Sequence, residues 1–486
     1  LFWLKQCPLV ENSVRVLQLA GMTVPSRDLS APPAPEALHG KPCRSGQTGM
    51  RPFGSLGPKI DVARYGEQLE AKVAAVRRAL AQSVPGSVLS SASVFPSPPT
   101  GHRHRAGPLV VLPGSPEEGS GLEVAMWDPV AGAHSLIRVH EVPLYSAPIA
   151  AALEALRGMP VRLDAALAGG APGRSPASAE PDPEDGGERW GCVIGRGLRS
   201  VQLHSTLSGD LLVCLVYHDE RLRCLKRDER LPGETGEDER RWVAAAGEFR
   251  RALQDAMAEA AVAGCVDVVG RWKRRRVVVE RDYVVERFRL ADGNVCEYRQ
   301  PEGQFSNPNA PCEVHCLDWL CSEASQIRSE SGQQPLRLLE LHCGSGCNTV
   351  ALAPYFQEVV AVEINRVLAA AAQANLQANG VRNVRLVRAP SAETERSAEG
   401  IADGPAAAQA VLVDPPRSGL DAATLELVSR FEHVLYVSCN PDALSRDLAA
   451  LRPSHEAVSL AIFDMFPYTT HAECAVRLRM HRPQPG

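Results

Sequence analysis

Cys439 ends the run Leu435-Tyr-Val-Ser-Cys-Asn-Pro441, where an apolar, strand-like stretch is stopped by Asn440-Pro441. A thiol at a strand terminus is a candidate nucleophile. Most of the fourteen cysteines read instead as small buried side chains. The segment Phe463-Asp-Met-Phe-Pro-Tyr-Thr-Thr-His-Ala-Glu-Cys474 brings two groups able to take a proton, His471 and Glu473. Their spacing alone does not choose between them. A third segment, Val413-Asp-Pro-Pro-Arg-Ser-Gly-Leu420, sets Asp414 at the end of another strand, in a loop stiffened by two prolines.

A fourth element supplies a cofactor loop. Leu338-Leu-Glu-Leu-His-Cys-Gly-Ser-Gly-Cys347 reads as a strand running into a turn, where Gly344 and Gly346 permit close approach to a ligand. The next strand, Val359-Val-Ala-Val-Glu363, ends in an acid that can accept both ribose hydroxyls of an adenosine cofactor. Thr349 stands where a dinucleotide fingerprint would carry its third glycine, which favours S-adenosylmethionine over a nicotinamide dinucleotide. Cysteine, base and methyl donor together suit one problem. Uracil carbon 5 is a weak nucleophile, and addition of a thiolate at carbon 6 turns it into an enolate that can attack a methyl group. A base must then remove the carbon 5 proton so that the sulfur can leave. Asp414 could serve the cofactor or the uracil imide.

These residues need a scaffold. After Gln304, apolar strands alternate with alanine-rich helices, which predicts an α/β, Rossmann-like, mostly parallel sheet covered on both faces. Residues 304–486 are read as this catalytic domain. Residues 61–303 are read as an α+β domain, with a helix from Tyr65, a hairpin around Ser208-Gly-Asp210, and insertions near 169–187 and 229–241. Residues 1–60 read as a disordered or targeting lead-in rich in Pro, Gly and Ser. The chain starts at Leu1, so a processed or truncated start is expected.

The 486 residues are 44% hydrophobic and 22% charged, with a net charge of -5, so any nucleic-acid surface must be a local basic patch. No apolar run reaches the roughly eighteen residues of a membrane span. Scattered cysteines without a Cys-x-x-Cys pair argue for a reducing compartment and against a disulfide framework. The cytoplasm is expected, or an organelle if the first residues are a transit segment. Cys312, His315, Cys316 and Cys321 are spaced along a helix, and no metal site is expected.

The motifs Asp414-Pro-Pro-Arg-Ser-Gly-Leu-Asp421, Ser438-Cys-Asn-Pro441 and Phe463-Asp-x-Phe-Pro-Tyr-Thr-x-His-x-Glu-Cys474 resemble those of the RNA 5-methyluridine methyltransferases, most closely the tRNA (uracil-5-)-methyltransferases. The resemblance runs from about Tyr65 to Met480. It implies S-adenosylmethionine as cofactor and the T-arm of tRNA as partner, methylated at uridine 54, with no obligate protein partner. It assigns Cys439 as nucleophile and Glu473 as base, with Glu363 and Asp414 on the cofactor. Its other cofactor positions fall on Gly344 and on residues that depart from the pattern. Asn307 replaces a Gln, His342 a Tyr, Cys347 an Asn, and Asn348 a Phe. Two basic patches could grip RNA phosphates: Arg103 and Arg105, and Arg271, Lys273 and Arg274, with Trp272 available to stack. Both precede the catalytic domain. Two other readings stay open on the sequence: methylation of rRNA, or an RNA-folding or RNA-binding protein with weak or lost catalysis.

Overall fold

The computed structural model describes residues 50–51, 60–113, 122–127, 136–138, 142–159, 161, 190–217, 236–272, 275–332, 334–391 and 408–481. The expected alternation in the second half builds an eight-stranded sheet. Across it lie Val384–Val387, Glu358–Val362, Arg337–Leu341, Ala410–Val413, His433–Ser438, Glu473–Met480, His455–Phe463 and Ser93–Phe95. The first five strands are parallel. Glu473–Met480 is inserted antiparallel to both its neighbours. The chain order reverses between Arg337–Leu341 and Ala410–Val413. A crevice opens beyond the carboxyl ends of strands at such a point.

Strand alternation divides this sheet into two faces. Leu338, Leu412, Leu435, Val437 and Ala475 face the helix Ala310–Glu330. Leu339, Val411, Val413, Val434, Tyr436 and Val476 face the helices Tyr65–Leu80 and Pro441–Leu451. Among the described residues no helix is long and apolar enough to cross a membrane.

A second eight-stranded sheet lies earlier in the chain, in the order Met50–Arg51, Leu136–Arg138, Leu122–Trp127, Arg105–Pro113, Leu198–Ser205, Leu211–Tyr217, Val266–Arg271 and Arg276–Val279. The helices Ala147–Gly158 and Gly236–Glu259 bury Ile149, Leu153, Leu156, Phe249 and Leu253 in its core. The hairpin around Ser208-Gly-Asp210 forms as expected. Gly236–Glu259 begins inside the stretch read as a second insertion; residues 169–187 and 229–235 lie outside the described residues.

The boundary between the two halves differs from the expected one. The helix Tyr65–Leu80 places Val73, Val76 and Leu80 in one core with Leu444, Leu448 and Leu451 of the catalytic half, and Ser93–Phe95 adds an edge strand there. The hairpin Tyr283–Arg289 and Val295–Pro301 also packs on that half, through Phe288, Cys296 and Tyr298. A helix read from its own periodicity reveals an apolar face, but not which sheet covers it.

That early helix also holds the loop ahead of Glu473. The Lys72 ammonium donates to Asp464 Oδ1 at 2.5 Å and to the Phe466 carbonyl at 2.8 Å. The Tyr65 hydroxyl donates to Asp464 Oδ2 at 2.8 Å. Asp464 is 1% exposed. Lys72→Met should strand this carboxylate, and removing one member of a buried pair costs about 3–5 kcal/mol. A markedly lower Tm is expected, whereas an unchanged Tm would show that the clamp carries no stability.

Candidate active site

The antiparallel last strand sets the site. Ser438 pairs with Cys474, so the next residue along each strand brings Cys439 beside Glu473. Both side chains take the same parity as Val437 and Ala475, toward the face under Ala310–Glu330. Each is 6% exposed. Asn440 then stops the strand. Its side-chain oxygen accepts from Asp442 N–H and its amide donates to the Arg417 carbonyl at 2.9 Å. Cys439 is thereby tied to the loop that follows Asp414.

That loop has its own anchor. Asp447, fully buried, accepts from Leu420 N–H at 2.8 Å and from the Tyr436 hydroxyl at 2.6 Å. Gly419 adopts φ 77°, and a Cβ there would lie 2.4 Å from Asp447 Oδ2. The turn therefore requires glycine.

Burial dominates the electrostatics. It pushes the Glu473 carboxyl well up, with Asp414 and then Glu313 adding to the effect and Arg417 opposing it. Asp414 is pushed up to about 7, by burial and then by Glu313. The Cys439 thiol is raised by burial, then by Glu473 and Asp414, while Arg417 favours its thiolate. The resting site thus holds a neutral thiol, carboxyls that retain protons easily, and one nearby guanidinium. Arg417 lies within a motif the sequence displayed, yet only the fold places it against Cys439. His471 is half-buried and packs edge-on to Phe466 at 6.3 Å between centroids. Burial lowers its basicity, followed by the positive charges of Arg417 and Lys72.

The glycine-loop residues gather on the same side of the crevice. Glu363 Oε2 accepts from Gly344 N–H at 3.0 Å and Oε1 from Asn365 N–H at 2.7 Å. Each oxygen keeps a further lone pair for a diol. His342 holds φ 63° and its ring meets Ser391 Oγ at 3.1 Å. The Cys347 carbonyl accepts from the Tyr298 hydroxyl at 3.1 Å, while its thiol lies by Glu313. The Asn307 amide donates to Glu313. Glu340, 1% exposed, lies between the strands of Glu363 and Asp414. Thr349 stands nearby, but neither carboxylate oxygen makes a well-formed hydrogen bond among the described residues. Glycine turn, diol acceptor and buried acids fit a cationic adenosine cofactor.

The basic residues expected on RNA are placed differently. Arg105 turns inward: its guanidinium donates to the Gln304 carbonyl at 2.7 Å, and burial lowers its pKa to about 10. It supports the loop leading to Asn307. Arg103 Nε donates to the Arg105 carbonyl at 3.0 Å. Arg271 pairs with Glu302, Arg275 with Glu239 and Arg276 with Asp282. Trp272 is stacked on Tyr217 at 4.6 Å and edge-on to Trp242, which corrects the expectation of a free stacking platform. Its indole satisfies a core rather than a base. Lys273 and Arg274 lie outside the described residues.

Comparisons with known proteins agree with this architecture. A family model described as tRNA (Uracil-5-)-methyltransferase matches residues 192–481. Two relatives named tRNA/tmRNA (uracil-C(5))-methyltransferase come from Aromatoleum aromaticum and Azoarcus sp. The first is 35% identical over 431 residues, covering 87% of this chain and 97% of the relative. The second is 36% identical over 431 residues, covering 87% and 98%. The chain is similar in fold to the crystal structure of Pyrococcus abyssi tRNA (uracil-54, C5)-methyltransferase in complex with S-adenosyl-L-homocysteine. The TM-score is 0.54 at 17% identity, over 87% of this chain and 86% of that one.

Glu340 yields a pH test. Burial pushes its carboxyl from 4.5 up to about 8. A raised folded-state value contributes stability that is present below the unfolded value and is lost as pH rises through the folded one. Glu340→Gln removes that loss. In the ligand-free protein the variant should match the parent near about pH 4 and gain roughly 3–5 kcal/mol above about pH 8. A difference that does not change with pH would contradict this origin.

Proposed function

The chain belongs to the tRNA (uracil-5-)-methyltransferase family, and we propose that it methylates carbon 5 of a tRNA uridine, uridine 54 of the T-loop, through a covalent bond from Cys439. The observation that carries this reading is the strand register that sets Cys439 beside Glu473 in a shared, water-poor crevice. The donor is S-adenosylmethionine, which supplies an electrophilic methyl group when bound. Glu363 holds its ribose, while Gly344, His342, Cys347 and Asn307 line its loop and Asp414 the crevice beside it.

The target base leaves its stack to enter the crevice. Arg417 favours the thiolate, formed by loss of the Cys439 proton to solvent before the crevice closes; its sulfur adds to carbon 6, and carbon 5 of the resulting enolate becomes the nucleophile that takes the methyl group. Glu473, which must be ionised before the base seals the crevice, then removes the carbon 5 proton. Its burial among Asp414 and Glu313 makes it a carboxyl that holds the proton it receives. The Cys439 sulfur leaves as the carbon 5–carbon 6 double bond re-forms. His471, weakly basic and packed on Phe466, orients the loop ahead of Glu473.

Loss of the base should stop release rather than attachment. Glu473→Gln should accumulate a methylated RNA–protein adduct on unmodified T-arm RNA, seen as a slow band on a denaturing gel. His471→Ala should slow turnover without trapping. Trapping by the His471 variant with normal turnover by the Glu473 variant would reverse the two roles. Methylation of rRNA fragments in place of the T-arm would overturn the substrate.

A further inference from the structure

Two of the cofactor positions where this sequence departs from the family pattern converge on one side chain. Asn307 donates its amide to Glu313, and the Cys347 thiol lies against the same carboxyl. Glu313 sits in the first turn of Ala310–Glu330, where Asn309 caps the helix by accepting from Cys312 N–H at 3.2 Å. It continues the buried stripe of Cys316, Leu317, Leu320 and Ala324 that covers the sheet. An apolar residue would complete that stripe. Instead the helix extends a carboxyl, 7% exposed, to the end of the sheet where Asp414 and Glu473 lie.

A second observation points to a cationic ligand. Glu340 projects from the same face, deeply buried beneath the glycine loop, with no well-formed hydrogen bond to either oxygen among the described residues. Buried carboxyls facing one crevice are costly unless a positive group joins them. The lining is thus matched to positive charge. S-Adenosylmethionine carries a sulfonium, and S-adenosylhomocysteine, which remains after transfer, does not.

We propose that Glu313 is a specificity-determining residue of the methyl-donor site: held by Asn307 beside Cys347, it directs negative charge at the sulfonium and favours the donor over its demethylated product. A cation beside these groups stabilises their ionised forms. Loss of the methyl group removes that charge, so the site releases the product more readily than it releases the donor. This rests on reading the glycine loop as the S-adenosylmethionine site.

Calorimetry on the full chain can test the proposal without turnover. The probes are S-adenosylmethionine, S-adenosylhomocysteine and sinefungin, whose amine replaces the sulfonium. The parent should bind both cationic ligands at least about tenfold more tightly than S-adenosylhomocysteine, the scale of one charge-assisted contact. Glu313→Gln should reduce this preference to within about threefold, chiefly by weakening the cationic ligands. Glu313→Asp keeps the charge and should retain most of the preference, which distinguishes charge from shape. An unchanged preference in Glu313→Gln would overturn the proposal. Equal weakening of all three ligands would also overturn it, by showing that Glu313 only supports the loop. If the parent binds none of the three, the cofactor reading itself fails and the proposal falls with it.

Discussion

Ser438 and Cys474 face one another across an antiparallel strand pair, and the site depends on that register. A shift of one residue would turn Glu473 to the opposite face of the sheet, away from Cys439. The pairing is enforced on both sides, because Glu473–Met480 lies between His433–Ser438 and His455–Phe463 and pairs with each along its length. Inserted against the direction of its neighbours, the strand delivers its first residue to the crevice at the carboxyl ends of the parallel strands. A parallel strand would have delivered its last. The clamp of Lys72 and Tyr65 on Asp464 fixes the approach to that first residue.

The same packing that fixes the geometry also sets the chemistry. Helix Ala310–Glu330 covers the face shared by Glu340, Cys439 and Glu473, all nearly inaccessible, with the partly buried Asp414 at its edge. Desolvation then makes the thiol hard to ionise and the carboxyls slow to give up protons. A nucleophile in such a place needs a local positive charge, which Arg417 supplies. A base there needs affinity for a proton, which burial supplies. One physical condition thus has opposite value for the two partners.

The glycine loop, Glu363, the Asp414 loop, Cys439 and Glu473 were legible in the sequence because each sits at a strand end marked by a short, punctuated motif. The alternation of strands and helices was equally plain after Gln304. Glu313 was hidden because an acid in a helix's first turn is ordinary, and only the stripe through Cys316, Leu317 and Leu320 shows that it faces inward. The attachment of Tyr65–Leu80 to the distant sheet was hidden because periodicity does not name a partner. The protein partners of the basic run were hidden for a related reason. Arg271 meets Glu302 and Trp272 meets Tyr217 only after folding, and no local pattern distinguishes such pairs from a phosphate grip.

The account stands on Cys439 as the atom that attacks the base, among several buried thiols near it, including Cys316 and Cys474. The direct measurement is to react the chain with S-adenosylmethionine and T-arm RNA containing 5-fluorouridine, in which no carbon 5 proton is available for release. The complex is then digested and the cross-linked peptide sequenced by mass spectrometry. The account predicts a methylated fluorouridine joined to Cys439. A cross-link at Cys316 or Cys474, or methylation with no cross-link at all, would contradict it.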